Sequence, residues 1–411
     1  MKIENRFLKY VSFDTQSDEH SNTAPSTKKQ LQLAKFLEEE MKIIGFEDVE
    51  LNEFGIVYGR IPGNTEEDEK GDTIGFIAHM DTSPDAPGHD IHPQVIHDYD
   101  GSVITLNKEK NMVLDPEKET PLKGMIHHDL VTTDGTTLLG ADDKAGITII
   151  MTMAEYLHNH PKFKHNDIVV AFTPDEEIGQ GTAHFDIDRF GADYAYTIDG
   201  GPIDEINYEN FNAYKADVKV EGHSYHTGSA KGKMVNALTV ARHFDELLGE
   251  HDRPEYTSDY EGFIHLHNVT GDVSHTSLSY IIREHDADKI KKLMSRMSDA
   301  AEYLNKQLGE ELISITFTKQ YENMKPVIEK YPQVVDQVSE AMLDVGITPQ
   351  SVPIRGGTDG AMLSLRGLPT PNLGTGGYNY HGPYEYASLT DMKKVVELLL
   401  AIIRNNTKNV L

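Results

Sequence analysis

The strongest constraint on the fold is a change of pattern in the middle of the chain. Before residue 211, short apolar segments that suit strands alternate with helical ones, which predicts an α/β domain with a mainly parallel sheet. From 211 to 322 the predicted order is β-α-β-β-α-β, the order of a ferredoxin-like α+β domain. Strand and helix alternate again from 323 to 411. The sequence therefore predicts one α/β domain, built from 1–210 and 323–411, interrupted by an inserted domain at 211–322.

The bounds of the predicted elements follow from apolar periodicity and from capping residues. In the inserted domain we expect helices at 233–249 and 287–308 and the strands Ala213–Glu221, Gly262–Val269, Ser277–Arg283 and Leu312–Thr318. In the α/β domain the predicted strands include Ile56–Ile61, Thr73–Ala78, Ile168–Phe172, Tyr194–Ile198 and Pro371–Leu373. A helix over 27–44 is predicted to begin with a capping box formed by Thr27 and Gln30, and to end at Gly45. Ser388 is predicted to cap the last helix.

Composition excludes several classes of function. The 411 residues carry a formal net charge of −29, which disfavours nucleic acid or an anionic membrane as a partner. The chain contains no cysteine, so disulfides and thiolate zinc sites are ruled out. The first residues are too polar for a signal peptide, and no apolar run reaches the length of a membrane span. We therefore expect a cytoplasmic protein.

Three consecutive carboxylates, Asp175, Glu176 and Glu177, follow the apolar run Ile168–Phe172. A buried strand that delivers three acids to one point makes an electrostatically costly site unless a cation balances them. Two other acidic runs, at 38–40 and 66–69, lie on a predicted helix and in a polar loop, where such runs are usually solvated. The run at 175–177 differs because of the strand before it, and it suggests a metal centre.

Polar clusters also follow other apolar runs of the α/β domain. They are His79-Met-Asp81, Asp142-Asp143, Asp199-Gly-Gly and the late segment that contains His381. Sites in open α/β sheets form at the carboxyl ends of strands, so these clusters are expected to converge with the run at 175–177. Each cluster alone is weak evidence, but together they occupy equivalent positions in the predicted topology.

The residue types in these clusters suit two divalent metal ions that share one carboxylate. The predicted ligands are His79, Asp142 and Asp199 for one ion, and Asp142, Glu177 and His381 for the other. Three ligand carboxylates offset most of the charge of two divalent ions, which makes burial of the cluster tolerable.

Neighbouring residues in the same clusters are predicted to have other roles. Asp81 can accept the second ring N–H of His79, as is usual for metal-bound histidine, and Glu176 is left free to take a proton from water. Asp143 is more simply a cap for the helix that follows it, and Asp175 a residue that shapes its turn. The histidines between 89 and 128 lie in an irregular segment and are expected to have surface or structural roles.

The motifs that carry this chemistry resemble those of the M20 family of metallopeptidases. The matching stretches are His79-x-Asp81, Gly140-Ala-Asp-Asp-Lys-Ala-Gly146, Asp175-Glu-Glu177, Asp199-Gly-Gly and Tyr380-His381-Gly. The resemblance covers nearly the whole chain, including the inserted domain, and implies the same metal ligands, with Glu176 as general acid/base and Asp81 orienting His79. It also implies a cis peptide between Asp142 and Asp143.

The same resemblance implies roles for residues outside the metal centre. It makes 1–210 and 323–411 the catalytic domain and the insert a lid that also serves in homodimerisation. His226 is expected to stabilise the oxyanion, in its own active site or the partner's. Arg283 and Arg355 are expected to bind a peptide carboxylate, because guanidinium pairs with carboxylate in a bidentate geometry, and Asn379 is expected to bind polar groups of the substrate.

The expected activity is that of a dinuclear aminopeptidase that releases the N-terminal residue of tripeptides, because the resemblance is strongest to members of the family with that activity. Zinc is the expected metal, although Co²⁺ and Mn²⁺ also suit mixed imidazole and carboxylate sites. Another M20 activity, such as a dipeptidase, a carboxypeptidase or an N-acyl amino-acid hydrolase, stays open as an alternative. So does a non-catalytic metal- or peptide-binding module, in which Glu176 would be dispensable.

Overall fold

The computed structural model describes residues 1–66 and 70–407, so the acidic run at 66–69 lies mostly outside the described residues. The chain divides into two compact units. The larger unit comprises Met1–Tyr208, Pro326–Val352 and Thr358–Leu411, and the smaller unit comprises Glu209–Lys325 and Pro353–Gly357. The short segment Pro353–Gly357 was placed in the α/β domain by the sequence pattern. It belongs with the smaller unit, where the N–H of Ile354 donates to the carbonyl of Glu209 at 2.8 Å.

The strands of the described chain are as follows. The larger unit contributes β1 (Glu47–Leu51), β2 (Val57–Ile61), β3 (Ile74–His79), β4 (Gln94–Ile96), β5 (Ile104–Asn107), β6 (Met112–Leu114), β7 (Leu130–Thr132), β8 (Ile168–Thr173), β9 (Tyr194–Gly200) and β10 (Glu205–Asn207). The smaller unit contributes β11 (Asn212–Glu221), β12 (Phe263–Gly271), β13 (His275–Glu284) and β14 (Ile313–Tyr321). The larger unit then adds β15 (Gln350–Ser351), β16 (Asn372–Gly374), β17 (Gly377–Tyr378) and β18 (Tyr386–Ser388).

The helices follow the same division. They are α1 (Ile3–Val11), α2 (Gln30–Ile44), α3 (Thr120–Lys123), α4 (Ala141–Asn159), α5 (Ile187–Phe190), α6 (Ala237–Leu248), α7 (Ala287–Leu308), α8 (Lys325–Ile328), α9 (Pro332–Asp344), α10 (Asp359–Leu365) and α11 (Leu389–Asn405). Of these, α6 and α7 belong to the smaller unit. None of the helices in the described parts of the chain combines the length and the apolar character needed to cross a membrane.

The main sheet of the larger unit has eight strands in the order β1-β2-β8-β3-β9-β16-β10-β15. Its centre, from β8 through β3 and β9 to β16, is parallel. Every residue of β3 and β8 is buried, because helices cover both faces of the sheet. On one face Phe76 lies in the same apolar core as residues of α4 and α11, and on the other face Ile77 lies with Phe190 of α5 and Leu363 of α10. The predicted α/β class with a mainly parallel central sheet is confirmed.

The predicted capping box at Thr27 is wrong. Helix α2 begins at Gln30, and its N-cap residue makes no side-chain capping bond. The Thr27 hydroxyl donates instead to the carbonyl of Gln16 at 2.8 Å, and the Gln30 amide donates to Asp175 at 2.7 Å. The Thr27 and Gln30 side chains therefore bond to Gln16 and Asp175, and they do not cap the helix. The end of the helix is as predicted, because Gly45 has the left-handed φ of 99° that an αL cap requires.

The smaller unit has the predicted β-α-β-β-α-β order, from β11 and α6 through β12, β13 and α7 to β14. Its four strands form an antiparallel sheet in the order β12-β13-β11-β14, and residues of α6 and α7 share one apolar core with it. Helix α6 begins at Ala237 and not at 233, because the side chain of Asn236 accepts the N–H of Leu238 and caps the helix there. The predicted inserted ferredoxin-like fold is confirmed.

Two smaller sheets complete the larger unit. The strands β17, β18, β7 and β4 form one, and the antiparallel hairpin β5–β6 forms the other. The Ser388 hydroxyl accepts the N–H of Asp391 at 3.0 Å, so the predicted cap of the last helix is confirmed. Strand β18 pairs with β7, which anchors the segment that follows His381.

Candidate metal centre

The carboxyl ends of the central parallel strands deliver polar side chains to one place. His79 is the last residue of β3, the acidic run 175–177 follows β8, and Asp199 lies near the end of β9. Because β8, β3 and β9 are neighbours in the sheet, these side chains converge as expected for an open α/β sheet. Asp142 joins them from the start of α4.

The structure gathers the five predicted ligands into two groups that share Asp142. His79, Asp142 and Asp199 form one group, and Asp142, Glu177 and His381 form the other, with the ligand atoms of each group within 4.8 Å of one another. His79 Nε2 lies 2.8 Å from Asp142 Oδ1, while His381 Nε2 lies 3.2 Å from Asp142 Oδ2. Each oxygen of Asp142 therefore faces a different group, which is the arrangement that a bridging carboxylate needs.

The second histidine also contacts the acidic run. His381 Nε2 lies 2.9 Å from Glu177 Oε2, and the bonds from Asp142 and Glu177 raise the pKa of His381 to about 11. Burial, together with the charge of Asp142, raises the pKa of Glu177 to about 8. Burial also raises the pKa of Asp199 to about 6. These shifts show a crowded set of carboxylates in which positive charge is strongly favoured.

The donor set fits two divalent metal ions. It combines imidazole nitrogen and carboxylate oxygen, which suits Zn²⁺, Co²⁺ or Mn²⁺ and leaves soft metals without the sulfur they prefer. Glu177 Oε1 is buried and has no hydrogen-bond partner in the described chain, so it remains available as a donor atom. A buried polar atom without a partner is costly, and a cation at this position would remove that cost.

Asp81 connects the histidine of one group with the acidic run of the other. Its carbonyl oxygen lies 3.0 Å and its carboxylate oxygen 3.3 Å from His79 Nδ1. The same carboxylate accepts the backbone N–H groups of Glu176 and Glu177 at 3.0 and 3.2 Å. Asp81 is therefore placed to orient the His79 ring and, in addition, to hold the turn on which the acidic run lies.

Glu176 lies beside the two groups without belonging to either. It opens the short 3₁₀ helix Glu176–Ile178. Burial, with the charge of Asp199, raises the pKa of Glu176 well above its usual value. A carboxyl group with a raised pKa is suited to accept a proton and return it near neutral pH.

The start of α4 shows what the second aspartate of the pair does. The peptide between Asp142 and Asp143 is cis, as the family resemblance implied. Asp143 is buried, and its carboxylate accepts the N–H of Gly146 at 3.1 Å and the N–H of His79 at 3.2 Å. Asp142 and Asp143 have non-helical backbone angles, so the regular part of α4 begins after them and the bond from Gly146 is the predicted cap. Asp143 also fixes the end of β3.

Asp175 has the role of shaping its turn, with partners that the sequence did not reveal. Its φ of 61° lies in the left-handed region. Its buried carboxylate accepts the N–H of Ser26 at 2.7 Å and the amide of Gln30 at 2.7 Å, and it also contacts the Ser26 hydroxyl. The acidic run is thereby tied to the segment that leads into α2.

Two buried carboxylates near the centre were missed by sequence reasoning. Asp359 accepts the hydroxyl of Thr173 at 2.9 Å, and burial raises its pKa to about 7. Glu385 is 1% exposed and accepts backbone N–H groups from the turn that carries Asp142. A single acid beside an apolar strand is a weak signal. Only the position of Glu385, four residues after His381, could have drawn attention to it.

The three predicted site residues of the smaller unit form hydrogen bonds within that unit. His226 is exposed, and its Nδ1 accepts the N–H of Gly228 at 3.2 Å. Arg283 on β13 donates to the carbonyl of Tyr214 at 3.3 Å. Arg355 donates to the carbonyl oxygens of residues 259 and 261 at 2.7 and 2.8 Å. The guanidinium of Arg355 also lies 5.1 Å from the centre of the Phe211 ring.

Asn379 lies in the larger unit, two residues before His381. Its φ is 56°, and its side-chain amide donates to Glu119 Oε2 at 3.0 Å on the surface. The histidines between 89 and 128 pair with neighbouring acids or hydroxyls, as His127 does with Asp98 at 2.8 Å. Within the described residues, none of these histidines belongs to either metal-binding group.

Comparison with known proteins gives one consistent result. A family model described as peptidase family M20/M25/M40 matches residues 124–405. A curated peptidase T from Caldanaerobacter subterraneus subsp. tengcongensis is 50% identical over 402 residues, which cover 98% of both chains. A peptidase T from Desulfitobacterium hafniense is 52% identical over 401 residues, 98% of this chain and 97% of the relative. Among solved structures, aminopeptidase PepT from Bacillus cereus superposes with a TM-score of 0.77 at 24% identity over 98% of both chains, which shows a common fold.

Proposed function

The chain belongs to peptidase family M20/M25/M40, and on that basis we propose that it is a metal-dependent aminopeptidase that releases the N-terminal residue of tripeptides. The observation that carries this proposal is the pair of ligand groups that share Asp142 at the carboxyl ends of β3, β8 and β9. Relatives named peptidase T, which are about 50% identical in sequence to this chain over nearly its full length, support the same substrate class.

The proposed metal ligands are the five residues described above. His79 and Asp199 would hold one ion, Glu177 and His381 the other, with Asp142 between them. When bound, two divalent ions would polarise the scissile carbonyl and lower the pKa of the attacking water. We propose Zn²⁺ as the natural metal, because it suits mixed imidazole and carboxylate ligands.

Glu176 is proposed to move the proton. Its carboxylate takes a proton from the attacking water and returns it to the nitrogen of the leaving amine, so that one group serves as base and then as acid. The raised pKa of Glu176 matches a group that must hold the proton between the two steps. Asp81 keeps the His79 ring and the backbone of Glu176 in place during both steps.

The remaining roles are proposed from family resemblance. His226 would donate to the developing oxyanion, Arg283 and Arg355 would bind the peptide carboxylate, and Asn379 would bind polar groups of the substrate. Both arginines already donate to two backbone carbonyls, so these bonds favour neither candidate over the other. A homodimer formed through the smaller unit and a cytoplasmic location belong to the same proposal. Light scattering and cell fractionation test these two points.

A peptide panel tests the activity. The metal-loaded protein is given di-, tri- and tetrapeptides of one composition, each with a free or an acetylated N-terminus and with a free or an amidated C-terminus. We expect cleavage of the first peptide bond of tripeptides with a free N-terminus. Preference for dipeptides, or cleavage that ignores acetylation, would show another hydrolase of the family. No turnover with full metal occupancy would show a binding module.

A further inference from the structure

Glu385 has an unusual set of partners for a buried carboxylate. Its Oε2 accepts the backbone N–H groups of Leu139 and Gly140 at 2.6 and 2.9 Å, and its Oε1 accepts the N–H of Asp142 at 3.1 Å. Leu139 and Gly140 lie in the turn that leads into α4, and Asp142 lies in the non-helical first residues of α4. A carboxylate that accepts several backbone N–H groups forms stronger bonds than a neutral acceptor would, so this turn is held firmly in one geometry.

Glu385 also belongs to the segment that carries His381. Its own N–H donates to the carbonyl of Gly382 at 3.2 Å, and β18, which begins at the next residue, pairs with β7. The residue therefore joins two segments that are about 240 positions apart in the chain, and each segment carries one proposed metal ligand. These ligands, Asp142 and His381, lie 3.2 Å apart through Oδ2 and Nε2.

We propose that Glu385 is a positioning residue of the metal centre, which sets the spacing between the bridging carboxylate of Asp142 and the imidazole of His381. This inference rests on the proposed metal centre and adds to it a residue that belongs to neither ligand group. We call the three hydrogen bonds from Leu139, Gly140 and Asp142 to Glu385 the clamp. Because Asp142 is shared, loss of the clamp displaces a ligand of both ions. Affinity for the ion held by Glu177 and His381 falls further, because two of its three ligands, Asp142 and His381, lie on the two segments that Glu385 joins.

The variants Glu385→Gln and Glu385→Asp test the role of the clamp. Glutamine keeps the shape but places an NH₂ group against backbone N–H donors, and aspartate keeps the charge but shortens the reach by one methylene. Both variants and the wild type are titrated with Co²⁺ after chelation, with binding followed by calorimetry and by the visible absorption of the bound cobalt. We expect affinity for the cobalt ion held by Glu177 and His381 to fall about 10- to 100-fold, the range seen when a residue behind a metal ligand is removed.

Glu40→Gln is the matched control. Glu40 is also buried in the larger unit and accepts from Arg6 and the Tyr10 hydroxyl, away from the metal-binding groups. We expect this control to lose thermal stability while keeping the wild-type cobalt affinities and spectrum. A Glu385→Gln variant with the wild-type cobalt spectrum and affinities would overturn the inference. If Glu385→Gln does not fold, the same two measurements on Glu385→Asp decide the question. Wild-type protein that binds no cobalt would instead contradict the proposed metal centre itself.

Discussion

Asp175, Glu176 and Glu177 are chemically similar neighbours, and their surroundings give them three different roles. Asp175 is saturated with hydrogen bonds from Ser26 and Gln30. Glu177 faces His381 and keeps one oxygen without a partner. Glu176 lies between them, with its backbone held by Asp81. Local sequence predicted a costly charge cluster, whereas the division of labour depends on which segment each side chain meets.

Glu176→Gln tests the proton-transfer role at this scale. The amide keeps the size of the side chain but cannot take a proton, so we expect kcat for tripeptide hydrolysis to fall about 10²- to 10⁴-fold. Metal content, measured by atomic emission, is expected to stay at the wild-type level because Glu176 lies outside both ligand groups.

The matched control for that change is Glu39→Gln, an exposed substitution on α2. It is expected to leave both kcat and metal content unchanged. Turnover at the wild-type rate in Glu176→Gln, with full metal occupancy, would contradict the proposed mechanism.

At the scale of elements, the close approach of α4 to β9 brings Asp142 near Asp199. Gly146 makes this approach possible. An added Cβ would lie 1.9 Å from the main-chain oxygen of Ile198 and 2.6 Å from Asp143 Oδ1. Helix propensity alone would favour alanine here, so packing against the sheet decides the residue.

Gly146→Ala is therefore expected to destabilise the protein, by about 1–3 kcal/mol, although alanine is the better helix former. Because the helix must move away from β9, cobalt affinity should fall together with the urea midpoint. Gly356→Ala is the control, since an added Cβ there meets nothing within 4 Å. A Gly146→Ala variant as stable as the wild type would show that α4 can shift without cost.

Element boundaries show how far local pattern reaches. The order of elements and the fold class were predictable, because apolar periodicity and caps such as Ser388 and Gly45 are local signals. The start of α2 was predicted wrongly, because Gln30 bonds to Asp175, 145 positions away in the chain. The observed start of α6 is later than the predicted start, because the side chain of Asn236 caps the helix there.

At the scale of the whole molecule, the metal centre joins segments from both ends of the larger unit. Chelation is expected to lower the melting temperature, because ligands that bind only the folded state stabilise it by mass action, by about 2.7 kcal/mol at 100 times the dissociation constant. Differential scanning calorimetry with and without Zn²⁺ measures the shift. His381→Ala should shift less on addition of metal, and an equal shift would mean that His381 is not a ligand.

The smaller unit has a pH dependence of its own. His285 is buried, with its ring 4.3 Å from that of Phe211, and burial lowers its pKa. Above a pH of about 6.5 the imidazole is neutral in the folded and unfolded states alike. As the pH falls below that value, the unfolded chain takes up a proton that the folded chain resists, so stability is lost towards the lower folded pKa.

His285→Phe should therefore reduce the loss of stability between pH 7.5 and 5.5. Urea unfolding followed by circular dichroism, at both pH values, gives the two midpoints for each protein. His267→Phe, an exposed ring in the same unit, is expected to keep the wild-type dependence. Equal losses in His285→Phe and the wild type would contradict the prediction.

The sequence by itself determined the class of fold, the inserted unit and the strand ends at which acids and histidines collect, because periodicity, caps and residue type are local properties. Only the tertiary structure decided that Asp142 faces both ligand groups, that Asp81 and Asp175 hold the acidic run, and that Glu385 clamps the turn behind Asp142. These contacts join residues far apart in the chain. Their distances depend on which strands are neighbours in the sheet and on how closely α4 packs, and no local pattern encodes either.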